Sequence, residues 1–436
     1  MESYNIISFA GIFVLVGFAL LLSPNKRNIN WRVVLWGIGL QMLVAFFIFV
    51  VPVGSRIFLF INDLVIKVLQ SAQEGNRFVF GRLALPPGVT GENGETSLGA
   101  ILAFQGLASA IFFAALMSLL YFFRIMPLLI RGFAAVFTRL MRISGAESLC
   151  VSSNIFVGVE AGLTVKPHLD RMTRSELHTI LTGSMATIAS TVLALYVSFL
   201  SDIFPNIAGH LVSASILSAP AALVMSKLLL PETETPDTLG VNIKPEYERE
   251  GNAIEAVIKG ANSGVKLAVG ITALLLAFLG IVALLDLLMG SIGSTANQFF
   301  HFNIDWSLKG LMGYLFYPFT LVIGIPPGDA LAVSRIIGER LVVTEVTAYK
   351  DLAVLLTNDG LRHGRSIIIT TYALCGFAHI ASMGIFIGGL SALAPKRTRD
   401  LSILGPRALL AATLACLLTA AVAGAFYNQS SILLGQ

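Results

Sequence analysis

The chain alternates between long apolar runs and short polar ones. Apolar stretches occupy 6–23, 33–53, 98–123, 176–200, 207–226, 267–289 and 408–427. Each is about 18 residues or more, long enough to cross a bilayer core as a helix. A membrane barrel would show short segments alternating between lipid-facing and lumen-facing residues, and that pattern is absent. The expected class is an all-α integral membrane protein. Its first run is read as a permanent span and not a secretory signal: no basic residue precedes it, while Lys26, Arg27 and Arg32 follow it.

Three further regions, 126–172, 306–350 and 366–393, are apolar but interrupted. In the first half VGVEAGL (157–163) precedes the small-residue stretch TGSMATIAST (182–191); in the second IGIPPGDAL (323–331) precedes CGFAHIASMG (375–384). Repeated Gly- or Pro-interrupted hydrophobic segments at matching places point to the binding site of a transporter. Irregular backbone at membrane depth survives only when buried in protein or lining a cavity. Two re-entrant hairpins are therefore expected, at 157–163 and 323–331, with tips meeting near the midplane. The acidic, proline-punctuated stretch after 230 reads as a linker between the halves.

Charge sets the orientation. Basic residues gather at Lys26/Arg27/Arg32, Arg124/Arg131/Arg139/Arg142, Lys166/Arg171/Arg174 and Lys396/Arg397/Arg399, which the positive-inside rule assigns to the cytoplasm. Both termini and the segment 54–95 then face outward, in a multi-pass protein of the cell inner membrane. Composition agrees: 56% of residues are hydrophobic and 12% charged, about half the charged fraction of an ordinary soluble domain. The net charge of +4 forms no patch on a soluble domain, so nucleic acid is not an expected partner. Cys150, Cys375 and Cys416 lie in apolar stretches without metal-ligand spacing and read as buried thiols. There is no P-loop, HExxH or GxSxG in a suitable context, so no enzymatic activity and no resident cofactor are expected.

Ionisable groups inside apolar segments are costly and therefore candidates for function. Glu160, Asp329, Glu345 and His379 meet that description. Glu160 and Asp329 fall at the expected hairpin turns, where a carboxylate could also simply cap a helix, the preferred reading for Asp329. Glu345 could accept two hydrogen bonds from a vicinal diol. His379 and Ser382, three apart, share a helix face. Asn154 and Thr187 offer the hard oxygen ligands that a small cation prefers beside broken helices, although either residue type also serves as packing glue.

The motifs NIFVG (154–158), RMTRSEL (171–177), PETETP (231–236), TEVTAY (344–349), LCGFAHIAS (374–382) and APKR (394–397) together resemble the concentrative nucleoside transporter family, bacterial branch, over nearly the whole chain. The resemblance implies an elevator-type homotrimer with an inverted repeat, eight transmembrane helices and two re-entrant hairpins. Residues 1–125 would form scaffold spans, 126–230 the first half of the transport domain, 231–263 a cytoplasmic linker, 264–290 a further scaffold span and 291–436 the second half. It also implies that Glu345, His379 and Ser382 hold the ribose, that Glu160 and Val159 of the first hairpin and Phe377 face the substrate, and that Asn154 and Thr187 hold a coupling sodium ion. A proton is the alternative coupling ion, through Glu160 or His379.

The sequence departs from that family pattern. GVEAGL lacks the usual amide-bearing hairpin residue, His379 stands where Asn is usual, Thr344 replaces an Asn, and Pro327-Gly328-Asp329 stands where Trp-Asn-Glu is more usual. The expected substrate is thus a nucleoside, with relaxed or altered base specificity. A sensor or gate protein of the same fold, or a carrier of another polar metabolite, is the alternative.

Overall fold

The computed structural model describes residues 3–428 apart from 87, 92–93, 100, 247–249 and 302–303; of Val159 it describes the backbone only. Among the described residues the chain is helical, and its extended pairing is limited to two isolated bridges, Thr90–Thr96 and Ser144–Leu239. Seven helical stretches are long and apolar enough to cross a membrane: 3–21, 31–49, 102–122, 174–200, 207–229, 253–300 and 395–425. They coincide with the seven apolar runs of the sequence.

In chain order, α1 (Ser3–Leu21), α2 (Trp31–Phe49) and α3 (Pro52–Phe80) precede the first of two similarly ordered halves. The first half comprises α4 (Leu102–Phe122), α5 (Ile125–Met141), α6 (Gly145–Asn154), a 3-10 segment over Val159–Val165, α7 (Lys166–Leu169), α8 (Arg174–Ala186), α9 (Ser190–Leu200) and α10 (Ile207–Leu229). The second comprises α11 (Ala253–Phe300), α12 (Leu308–Val322), α13 (Pro327–Val342), α14 (Glu345–Thr357), α15 (Gly364–Leu374), α16 (Ile380–Leu393) and α17 (Thr398–Ala425). Each half thus runs long helix, shorter helix, a helix that turns back, a helix broken in the middle, and a closing helix.

Local chemistry sets several of these starts. Ser144 and Thr173 accept hydrogen bonds from the backbone of Glu147 and Glu176, whose carboxylates reach back to the cap N–H groups, so α6 and α8 each open on a reciprocal box. Asn252 caps α11 by accepting from the Glu255 N–H. The segment 54–95, expected only to face outward, is mostly the helix α3. One side of it buries Phe58, Asn62, Leu69, Ala72 and Asn76, and Asn62 accepts from the Gly209 N–H of α10.

The core lies among α8, α10 and α17. The apolar windows of 207–229 and 395–425 are 89% and 94% buried, whereas that of α11 is 6% buried, which separates a packed body from a peripheral helix. At 48 residues α11 is about 72 Å long, more than twice the hydrocarbon thickness. It leans on α4 where Gly260 and Gly264 admit the backbone of Ala114, Ala115 and Ile111 at distances a Cβ would violate.

The stretch 323–331 does reverse the chain: α12 and α13 pack along each other, with Gly313 against Arg335 and Gly338 against Met312. The corner between them is pinned by Ser8 Oγ donating to the Ile323 carbonyl and Arg365 Nε to that of Gly324. Asp329 accepts from the Arg362 and His363 N–H groups and from the Ser366 hydroxyl, so it caps α15, the next helix but one. The chain turns again at Val343–Thr344, between α13 and α14.

Candidate functional site

Glu345 opens α14 directly after that turn and is buried. Tyr196, on α9, donates to its Oε1 over 2.7 Å. His379 Nε2 lies 2.7 Å from its Oε2, at an angle that leaves Oε2 short of a proper hydrogen bond. His379 ends the break at 375–379 and caps α16, its Nδ1 accepting from the Ser382 N–H over 3.2 Å. An Nδ1 engaged as acceptor leaves the ring proton on Nε2, the nitrogen beside Glu345.

His379 and Ser382 are therefore joined, though through a capping box and not by lying free on one helix face. The Ser382 hydroxyl is spent on the carbonyls of Phe377 and His379. Phe377 is half-buried and packs near Phe386, ring centroids 6.3 Å apart. Tyr196 stacks on Tyr349 at 4.5 Å, and Tyr349 donates to the Thr371 carbonyl, so two aromatic rings fix the carboxylate between α9, α14 and α15. Sequence reasoning missed both tyrosines. The available signal was a phenol inside an aliphatic run, since a buried Tyr hydroxyl requires a partner.

A second cluster forms where α6 and α8 end. Asn154, the last residue of α6, donates through Nδ2 to Ser184 Oγ at 3.1 Å, while its buried Oδ1 has no partner. Thr187 ends α8 with its hydroxyl donating to the Gly183 carbonyl. The Ser190 N–H closes on the Phe156 carbonyl, drawing the segment after α6 against the break at 187–189. An orphaned amide oxygen, two hydroxyl oxygens and the negative ends of two helix dipoles make a donor set suited to a small hard cation.

Glu160 stands exposed in the 3-10 segment after α6, and among the described residues no hydrogen bond joins it to Glu345. The side chain of Val159 lies outside the described residues. The segment carrying both packs on α16, where Gly162 meets Leu390 and Leu393.

The two breaks touch. A Cβ on Gly376 would lie 2.8 Å from the Ala186 carbonyl oxygen and 2.6 Å from Cys416 Sγ, so only glycine lets the 375–379 break cross the end of α8. All three cysteines are buried and free.

Comparison with known proteins bears on this geometry. Three family descriptions match successive parts of the chain: Na+ dependent nucleoside transporter N-terminus over 10–83, Gate (nucleoside recognition) over 103–203, and Na+ dependent nucleoside transporter C-terminus over 210–424. A solved structure of CNTnw in an inward-facing, substrate-bound state superposes with a TM-score of 0.87 at 32% identity, covering 98% of each chain. The chain belongs to the concentrative nucleoside transporter family. Its members include human solute carrier family 28 member 3, which is 37% identical across 96% of this chain. The chain spans about three-fifths of the length of the mammalian relatives it matches, 60% in the human case. An uncharacterized transporter of Haemophilus influenzae is 35% identical, with 96% and 97% of the two chains covered. The resemblance read from NIFVG, TEVTAY and LCGFAHIAS is thus borne out, and the family is one of transporters, not enzymes.

Proposed function

We propose that this chain is a secondary active symporter that imports nucleosides down a sodium gradient. The observation that carries the reading is the buried Glu345–His379 pair. Glu345 Oε2 is an acceptor short of a hydrogen bond and His379 Nε2 a donor beside it, both at a break between half-helices. A sugar diol supplies the complement, one hydroxyl donating to the carboxylate and one accepting from the imidazole. Phe377 stands by to cover the substrate, and Glu160 with Val159 closes it from the first hairpin.

Asn154, Ser184 and Thr187 hold the sodium ion through oxygen atoms. Sodium is favoured over a proton because the orphaned Asn154 oxygen cannot titrate. The α6–α7 and α13–α14 turns act as re-entrant hairpins in an inverted repeat of eight spans, and the packed body moves as an elevator. We assign α4 and α11 to the scaffold that holds three copies together, since α11 is the least buried long helix. Leu195 of α9 against Gly106 of α4 then forms part of the sliding contact. Unlike the division read from sequence, α1 and α2 travel with the moving body: Asn5 donates to the Tyr427 carbonyl, and Gly37 packs on Val224 and Pro220 of α10. The protein resides in the cell inner membrane with both termini outward, following its basic loops.

Calorimetric titration of the purified protein with nucleosides, free nucleobases and ribose tests the substrate class. Sodium-dependent, saturable binding of nucleosides but not of free bases is expected. Equal binding of the bases would favour a carrier of another metabolite, and no binding of any of them would favour a sensor or gate.

A further inference from the structure

Arg340, near the end of α13, is completely buried, and among the described residues it forms no ion pair with a carboxylate. Its Nη1 donates to the Ala373 carbonyl in the last turn of α15, while Nε and Nη2 have no hydrogen-bond partner. A buried guanidinium without a counter-charge is costly, so its place in the fold calls for a reason.

The internal repeat supplies one. Asn154 ends the first arm of the first turn-back and reaches the end of α8; Arg340 ends the first arm of the second and reaches the end of α15. The two residues hold matching places at two matching helix breaks. The two helix ends, however, are finished differently. At the end of α15 each carbonyl from 371 to 375 has a protein donor: the Tyr349 hydroxyl to Thr371, Cys375 N–H to Tyr372, Arg340 to Ala373, Gly376 N–H to Leu374, and the Cys416 thiol to Cys375. At the end of α8, among the described residues, only Gly183 receives a close donor, the Thr187 hydroxyl at 2.9 Å. Among the described residues Ser184 and Met185 receive none beyond the helix. Ala186 has only the Cys416 thiol at 3.9 Å, which is nearer the Cys375 carbonyl at 3.5 Å. The first end keeps acceptors open, the orphaned Asn154 Oδ1 among them. At the second, positive charge and donors come from the chain itself.

We propose that Arg340 is a tethered cation occupying, in the second half, the position that a mobile ion takes in the first, so that each chain carries one sodium ion per cycle. This rests on reading the chain as a cation-coupled carrier, but it does not depend on the substrate's being a nucleoside. The guanidinium balances the buried dipole end of α15 in every state, whereas the α8 end must collect its cation from solution.

The test counts radioactive sodium bound at saturation to the purified protein, alone and with uridine. One ion per chain is expected in the wild type and in R340K, none in N154A, and a second ion in R340Q, where the charge is gone and the Ala373 carbonyl loses its donor. Two ions in the wild type, one ion remaining in N154A, or a folded R340Q that still binds one ion would each overturn the proposal. If R340Q does not fold, the wild-type, R340K and N154A counts decide. No sodium bound in the wild type overturns the sodium reading itself. A count of one without any uridine binding leaves this inference standing and removes the nucleoside.

Discussion

Glu345 gathers more of the site's chemistry than any other side chain. It is buried, and it receives a phenol on one oxygen and faces an imidazole on the other. Hydrogen bonds to charged groups contribute about 1.5–3 kcal/mol each, so Glu345→Gln is expected to weaken nucleoside binding roughly 10- to 150-fold in a calorimetric titration. An unchanged Kd would remove Glu345 from the site. Tyr196→Phe takes away the donor that orients the carboxylate. Its effect on binding should be smaller than that of Glu345→Gln and should largely vanish in the E345Q background, because the two act through one contact. Additive losses would mean that Tyr196 works elsewhere. Glu345, His379 and Asn154 could be read from sequence because ionisable or amide groups stand out in apolar runs. Tyr196 and Arg340 could not, because their roles depend on partners about 150 and 33 positions away.

Among the elements, the apolar runs matched the long helices and the Gly/Pro-rich stretch does reverse the chain, but the break that presents Glu345 lies at a further turn with no such chemistry. Gly324, Pro326 and Pro327 advertise a turn, and they do make one, at a corner braced by Ser8 and Arg365. The break that presents Glu345 uses Val343 and Thr344, residues with no turn signature. The fold holds them there because Val343 and Thr344 are buried and the Thr344 hydroxyl caps α14 by accepting from the Thr347 N–H. Cysteines placed at 344 and 326 distinguish the two turns: saturating nucleoside should slow thiol labelling at 344 and leave labelling at 326 unchanged. Protection confined to 326 would place the substrate at the earlier turn instead. The crossing of the two breaks gives a second expectation. Gly376→Ala puts a methyl against the Ala186 carbonyl and Cys416, and overpacking of this kind costs about 1–3 kcal/mol. The melting temperature in detergent should fall, and adding Cys416→Ala should recover part of it. A wild-type melting temperature in G376A would show that the breaks do not meet as described.

For the whole molecule, sequence gave membrane residence and a two-half plan, since both follow from the length and order of apolar runs. It could not show which helices belong to the packed body. The apolar runs of α1 and α11 look alike, yet α1 is tied to Ile323, Arg365 and Tyr427 by polar contacts from Asn5 and Ser8, while α11 stands almost bare. Such contacts span more than 300 positions and leave no periodic trace. The central claim is that the buried carboxylate–imidazole pair and the open end of α8 together couple a nucleoside to sodium. Its most direct test is uptake of labelled nucleosides into proteoliposomes under an inward sodium gradient, a proton gradient or neither. Saturable uptake that follows the sodium gradient, and is lost in both E345Q and N154A, is the predicted result; uptake that follows only the proton gradient, or persists in both variants, would contradict it.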